Sequence, residues 1–231
     1  MNRAVNVRDA ATTALLRDAP DTGLEVLLLR RHASHVFGAN AYVFPGGALD
    51  AADDDAELRV RCAGGAEAIA EAVGDQGFAL AMAAIRECFE EADLLIACTA
   101  NAPVSARRRE VLRAALNQQT ACWTDIVTEM DLRFDLDALA FFAHWTTPAG
   151  PPKRYSTRFF AAAAPDGEAR CDGLETTHVW WARPHAAVAA HDRGEIELMT
   201  PTRATLESLA RYPDAATALA ELMQAATVRV P

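Results

Sequence analysis

Along the first third of the chain, apolar residues come in short blocks rather than at helical spacing. Ala10 to Arg17 and Leu24 to Arg31 are two such runs. The stretch between them, Asp18-Ala19-Pro20-Asp21-Thr22-Gly23, is made of turn formers, so the pair predicts a β-hairpin. Tyr42-Val43-Phe44 is a third β-prone run, halted by Pro45-Gly46-Gly47. Proline removes a donor and glycine permits backbone angles other residues avoid, which predicts a strand ending in a tight loop. The period changes between Phe78 and Glu91. Met82, Ile85 and Phe89 share one helical face while Ala83, Glu87, Glu90 and Glu91 gather on another, predicting an amphipathic helix with an acidic stripe. Asp93 stands where such a helix would end, and Asp tolerates the left-handed conformation better than most residues.

Between Gly47 and that helix lie Asp53-Asp54-Asp55, Gly64-Gly65 and an Ala/Glu-rich segment, Ala66 to Val73, that predicts a short helix. Residues at about 50–77 read as an insertion, expected to form a lobe of its own because loop entropy grows slowly with length. A helical stretch at about 102–120 is centred on Ser105 to Gln118, and its Arg107-Arg108-Arg109 reads as a solvated face. Leu139 to Thr146, Thr157 to Ala163 and Thr176 to Ala182 predict three more strands. His185 to His191, Arg203 to Arg211 and Ala215 to Ala225 predict helices, the middle one started by Thr200-Pro201-Thr202. With no internal repeat or low-complexity linker, residues 1–231 are read as one domain.

Composition narrows the function classes. The net charge of −10 repels a phosphate backbone, so no nucleic-acid partner is expected, although a bound divalent metal would let a small anion in. The cysteines, Cys62, Cys88, Cys98, Cys122 and Cys171, are odd in number and form no CxxC pair, which argues against a disulfide framework and a zinc knuckle. No stretch approaches the length of a membrane span and Met1 to Ala10 carries no apolar signal run, so the expectation is a cytoplasmic protein with no membrane partner.

The chemistry concentrates in Arg86-Glu87-Cys88-Phe89-Glu90-Glu91. Glu87 and Glu91, spaced i and i+4 with Glu90 on the same side, would repel one another unless a cation compensates them. A hard divalent ion takes oxygen ligands and commonly bridges carboxylates to phosphates. Arg86 is placed either to pair with Glu90 or to hold a carboxylate through its rigid fork.

These residues resemble the Nudix hydrolase family, whose box runs Gly, five residues, Glu, seven residues, then Arg-Glu-aliphatic-x-Glu-Glu-x-Gly-aliphatic. Gly47 opens the box and Arg86 to Leu94 close it, separated by 86 − 47 = 39 positions instead of fourteen, so the box is split by about twenty-five residues. Asp53 stands at the first box Glu, Cys88 at an aliphatic position and Asp93 at the box Gly. The resemblance implies an α/β/α sandwich with a mixed sheet, extra helices coming from the insertion and the C-terminus. It implies Glu87, Glu90, Glu91 and the Gly46 carbonyl as ligands of Mg²⁺ or Mn²⁺, and Arg86 as the residue that orients Glu87.

Trp145-Thr146-Thr147-Pro148, Pro152 to Phe160 and Pro201-Thr202 resemble the subgroup of peroxisomal coenzyme A diphosphatases. Of that subgroup's signature upstream of the box, Arg30 and Arg31 match the basic portion while Asn40 replaces a glycine. The implied activity is metal-dependent hydrolysis of a diphosphate linkage in a nucleoside diphosphate derivative, coenzyme A or an acyl derivative first. The alternatives are an ADP-ribose or dinucleotide pyrophosphatase and a non-catalytic nucleotide sensor. Arg31, Lys153, Arg154 and Arg158 are candidate substrate-phosphate contacts. Glu175, in the region from which many family members supply a distal carboxylate, is the candidate base, beside Asp172 and His178. A homodimer is left open.

Overall fold

The computed structural model describes residues 6–20, 23–34, 38–100 and 104–228. Asp21 and Thr22 of the expected turn, and the closing Arg229-Val230-Pro231, lie outside them.

The first two apolar runs form the predicted hairpin, β1 (Val7–Ala19) and β2 (Gly23–Arg31), antiparallel with Leu16 opposite Val26. They read as blocks because both faces are covered. Leu15, Leu27 and Leu29 face one core, and Leu16, Val26 and Leu28 the other. Around them the described residues build a seven-stranded mixed sheet with β3 (Tyr42–Val43), β4 (Gly46–Ala48), β8 (Ala140–Thr146), β9 (Arg154–Ala163) and β10 (Thr176–Ala182). Its order is β10-β2-β1-β9-β8, with β3 on β2 and β4 on β1. The β1–β9 pair is parallel and its neighbours are antiparallel.

Helices cover both faces. Ile69 of α2 (Ala66–Val73), the apolar side chains of α3 (Gly77–Ala92), Leu112 and Leu116 of α4 (Ala106–Asn117) and Ile126 of α5 (Trp123–Glu129) fill the first core. Ala187 of α6 (Pro184–Asp192), Leu206 and Leu209 of α7 (Thr200–Leu209), and Ala218 and Leu222 of α8 (Ala215–Val228) fill the second. This is the expected α/β/α sandwich with a mixed sheet. No single helix among the described residues is long and apolar enough to cross a membrane.

Three expectations need correction. The helix α3 is not half-exposed: every residue in it except Glu90 is buried, so its acidic stripe faces protein rather than open water. The segment from residue 50 to 77 is no separate lobe. After the short helix α1 (Ala56–Val60), its β5 (Cys62–Gly64) pairs with β7 (Leu132–Asp135), which also pairs with β6 (Cys98–Ala100), and its Leu58 and Ile69 join the first core. The Arg107-Arg108-Arg109 run is the expected solvated face at Arg107 and Arg108, which are exposed, but not at Arg109, which donates Nε–H to Asp93 Oδ1 at 2.7 Å. Arg109 thereby secures the end of α3, where Asp93 takes the expected left-handed φ of 57°.

Candidate active site

The site is assembled between β4 and the last two turns of α3. The bonds Leu49 N–H to Asp9 O and Thr13 N–H to Pro45 O, both 2.9 Å, mark the hydrogen-bonded pairs of the β1–β4 ladder. By alternation Gly46 and Ala48 are non-bonded positions, so their amides and carbonyls turn away from β1. On that side the Gly46 N–H donates to Glu91 Oε2 at 3.1 Å, and the Ala48 carbonyl accepts from Arg86 Nη2 at 3.0 Å.

The glycines are needed for space, not for a turn. Neither has a positive φ, and the segment expected as a loop is the strand β4. A Cβ on Gly46 would lie 2.5 Å from the Ala11 carbonyl oxygen, and one on Gly47 would lie 2.4 Å from Glu87 Oε1. Gly47→Ala is therefore expected to push Glu87 aside and lower turnover at least about tenfold while the protein still folds, because the clash is with a side chain. Gly46→Ala meets backbone and should lower the melting temperature as well. Steady-state rates and thermal unfolding of both variants check this, and a fully active Gly47→Ala would show that Glu87's position is unimportant.

Arg86 is the hub, with all five of its N–H donors engaged. Nε and Nη2 grip the two oxygens of Asp53 at 2.8 and 2.9 Å, Nη1 reaches Glu87 Oε1 at 2.8 Å and Glu90 Oε1 at 3.0 Å, and Nη2 also reaches the Ala48 carbonyl. The fork and the i+4 pairing, alternatives in the sequence, are both present. Burial opposes the charge on this guanidinium, but its hydrogen bonds to Asp53 and the charges of Glu87, Asp53 and Glu90 outweigh it and hold the proton firmly. Asp53, with no solvent exposure, also accepts the Asp50 N–H at 2.8 Å. Its position at the first box Glu pointed to it, yet its function as the partner of Arg86 was not read from the sequence.

A cavity of about 580 Å³ opens on this cluster, lined by Asp50, Glu87, Glu90, Glu91, Asp125, Asp172 and Glu175. Among the described residues Arg86 is its only cationic lining residue. Burial pushes the Glu87 carboxyl up to about 7, with Arg86 opposing and Glu90 reinforcing. Burial likewise raises Glu90 against the pull of Arg86, and raises Glu91 well above its ordinary range, aided by Glu87.

No three acids among the described residues are already drawn together as a closed metal cluster. Each box glutamate is instead held through one oxygen by Arg86 or Gly46, its second oxygen carrying none of these bonds. Hard oxygen donors with excess negative charge fit a divalent cation. A consequence for stability follows. A carboxyl whose folded value is raised from about 4.3 keeps an extra proton in the folded state, so its contribution is complete below that value and disappears as pH rises through about 7. Chelator-treated protein should thus melt at lower temperature at pH 8 than at pH 5, and Mg²⁺ or Mn²⁺ should restore more at pH 8. A metal gain that shrinks as pH rises would contradict this.

The remaining predicted residues divide. Glu175 and Asp172 line the cavity, and Asp172 Oδ1 fixes their loop by accepting the N–H groups of Leu174, Glu175 and Thr176 at 3.1, 3.1 and 2.9 Å. His178 stands outside the lining, its ring edge against Tyr42. Arg31, Lys153, Arg154 and Arg158 are not lining residues either. Arg154 donates to the Thr147 carbonyl at 3.0 Å, and Arg158 to Asp9 Oδ1 at 2.6 Å. The stretch from Leu116 to Asp125, which supplies much of the lining, was not anticipated, because only the packing of α4 and α5 brings it to the glutamates.

Comparison with known proteins places this geometry. A protein from chicken (Gallus gallus) named acyl-coenzyme A diphosphatase NUDT19 is 28% identical over 247 aligned residues, which cover 84% of this chain. The chain spans 65% of that relative's length. A NUDIX hydrolase structure from Alicyclobacillus acidocaldarius superposes with a TM-score of 0.79 at 29% identity, covering 94% of this chain and 97% of the other. The MutT protein of Methanosarcina mazei Go1, at 12% identity, shares the fold with a TM-score of 0.51 over 91% of this chain and 97% of its own. The family model of the NUDT19 Nudix domain matches residues 63–209, more than half of the chain, including Arg86, the three glutamates of α3 and Glu175. The chain therefore belongs to the Nudix hydrolase family, in its NUDT19 branch.

Proposed function

We propose that this chain is a metal-dependent hydrolase of the diphosphate linkage in a nucleoside diphosphate derivative, with coenzyme A or an acyl derivative as the favoured substrate. The observation that carries the reading is the cavity charge: seven carboxylates line it, and Arg86, its cation, is already engaged by Asp53, Glu87 and Glu90. A diphosphate would be repelled from such a surface unless divalent ions entered with it. Mg²⁺ or Mn²⁺, when bound, would neutralise phosphate charge and lower the pKa of water. Glu87, Glu90, Glu91 and the outward-turned Gly46 carbonyl are the proposed ligands.

The chain's own groups do the positioning. Arg86 fixes Glu87 and Glu90 through one nitrogen, and the Gly46 amide fixes Glu91. Glu175, on the loop braced by Asp172, is the proposed acceptor of the proton from attacking water. Arg158 is the best placed of the proposed phosphate contacts: Ala11 pairs with Gly47 on one side and with Arg158 on the other, putting the two Cα atoms about 10 Å apart on neighbouring strand positions. Arg31, Lys153 and Arg154 are proposed as outer contacts.

The name of the chicken relative supports the coenzyme A assignment. A panel of coenzyme A, acyl-coenzyme A, ADP-ribose, NADH and dinucleoside polyphosphates, each with Mg²⁺ or Mn²⁺, tests it. Coenzyme A should yield 3′,5′-ADP and 4′-phosphopantetheine. Turnover of ADP-ribose with coenzyme A untouched would overturn the substrate, and no turnover across the panel would overturn the reaction.

A further inference from the structure

The acids do not form the whole cavity. Val60, Val111, Trp145 and Leu174 are the exposed large apolar residues among those described, and of these only Leu174 lines the cavity. It is 60% exposed and stands between two acidic lining residues, Asp172 and Glu175. A single exposed leucine on an outer surface is ordinary. One held in the lining of a cavity with seven carboxylates is different, because it leaves apolar surface where a bound substrate would cover it.

The loop that carries Leu174 is tied to the end of α3 on both sides. Arg170 donates its N–H to the Ala92 carbonyl at 2.8 Å, and Thr176 donates its hydroxyl to the Glu91 carbonyl at 3.3 Å. Between these anchors Gly173 turns the chain at a φ of 74°, and Asp172 Oδ1 accepts the Leu174 N–H at 3.1 Å. Burial is the main cause of the raised Glu87, Glu90 and Glu91 carboxyls, but the charge of Glu175 adds to all three, which puts it within electrostatic reach of each. Consecutive Cα atoms are about 3.8 Å apart, so Leu174 stands one step along the chain from that carboxylate. What it meets is the part of a substrate joined directly to the diphosphate, not a group at the far end of a long arm.

We infer that Leu174 is a specificity-determining residue that receives the branched, apolar carbon group next to the diphosphate on the pantetheine side of coenzyme A. The inference rests on the coenzyme A reading and deepens it. In coenzyme A the diphosphate oxygen is followed by a methylene and then by a carbon bearing a pair of methyl groups, whereas ADP-ribose carries a hydroxylated ribose at that place. An acyl chain is attached at the opposite end of the arm. Leu174 therefore distinguishes coenzyme A from ADP-ribose without sensing whether the thiol is acylated. Apolar contact is non-directional and holds ground state and transition state alike, so it appears in KM rather than in kcat.

Leu174→Ser removes the apolar surface and Leu174→Met keeps it. Steady-state rates with Mg²⁺ are measured for coenzyme A, an acyl derivative, and a coenzyme A analogue whose methyl pair is replaced by hydrogens. ADP-ribose is tested as substrate or as competitive inhibitor, and thermal unfolding is followed alongside. The expected result for Leu174→Ser is a KM rise of about three- to tenfold for coenzyme A and its acyl derivative alike, the scale of a partly covered leucine. Its kcat should stay within about twofold of wild type and its affinity for ADP-ribose should not change. Leu174→Met should behave like wild type. The demethylated analogue should bind wild type more weakly and lose little more on Leu174→Ser, because the contact is already gone. Both variants should melt at the wild-type temperature, since the side chain is exposed. An unchanged KM for coenzyme A, an equal rise for ADP-ribose, or a rise confined to the acyl derivative overturns the inference. A fall in kcat at unchanged KM overturns it as well, by showing that the side chain acts through Glu175. Wild-type protein that leaves coenzyme A untouched defeats the proposed substrate and this inference with it, while wild type active on coenzyme A with an unaltered Leu174→Ser defeats this inference alone.

Discussion

Glu90→Gln and Glu91→Gln are each expected to lower turnover roughly a hundredfold or more at saturating metal while leaving the fold intact, because an amide has the shape of the carboxylate without its charge. The two should differ in how they fail. Glu91 is 7% exposed and receives the Gly46 N–H, a bond the glutamine oxygen can still accept, so its variant should keep or gain stability without metal as the buried repulsion with Glu87 disappears. Glu90 is the one partly exposed residue of α3, and its variant weakens the bond from Arg86. Rates across a metal titration, paired with melting temperatures in chelator, provide the measurement. Near-normal activity of either variant at saturating metal would remove that glutamate from the proposed ligand set.

The second large effect falls on stability. Asp53→Ala would leave the Arg86 guanidinium buried with both of its Asp53 bonds gone, and Arg86→Ala would leave Asp53 as a carboxylate without solvent or counter-charge. Removing one partner of a buried pair costs about 3–5 kcal/mol. Arg86→Ala should therefore lose about that much in urea unfolding, Asp53→Ala less because Glu87 and Glu90 still face the guanidinium, and the double variant Asp53→Leu/Arg86→Met should cost clearly less than the two single losses summed. Losses below about 1 kcal/mol in both single variants would show that the pair is solvated in solution. Arg86→Ala should also be nearly inactive, since it frees Glu87 and Glu90 together.

Much of this was readable in the residues. The strands that the sheet buries on both faces announce themselves as unbroken apolar runs, and Met82, Ile85 and Phe89 give the box helix its period. The burial of that helix on its acidic side was not readable, because what covers Glu87 is the glycine strand β4, more than thirty residues upstream. The sheet β5-β7-β6 has strands of three or four residues, such as Cys62–Gly64, too short for a period of two to show, and their pairing depends on partners that α4 and α5 separate in the chain. Asp53 was visible as a position in a motif, but only the approach of Arg86 reveals its ion pair. The lining stretch from Leu116 to Asp125 gave no signal at all, since its side chains acquire meaning only once the packing of α4 and α5 is known.

The central strand has a consequence for how the protein is made. All ten register pairs of β1 with β9 join residues 147 positions apart, from Val7 with Arg154 (154 − 7) to Leu16 with Ala163 (163 − 16). Contacts this distant are slow to form, and a strand awaiting its partner offers an open edge to other chains. On the ribosome, β1 and the glycine strand beside it are complete long before β9 emerges. The glutamates of α3 therefore gain a finished sheet to rest on only once β9 and then β10, which ends at Ala182, have been synthesised, and nascent chains that stop short of them are the species most in need of a chaperone.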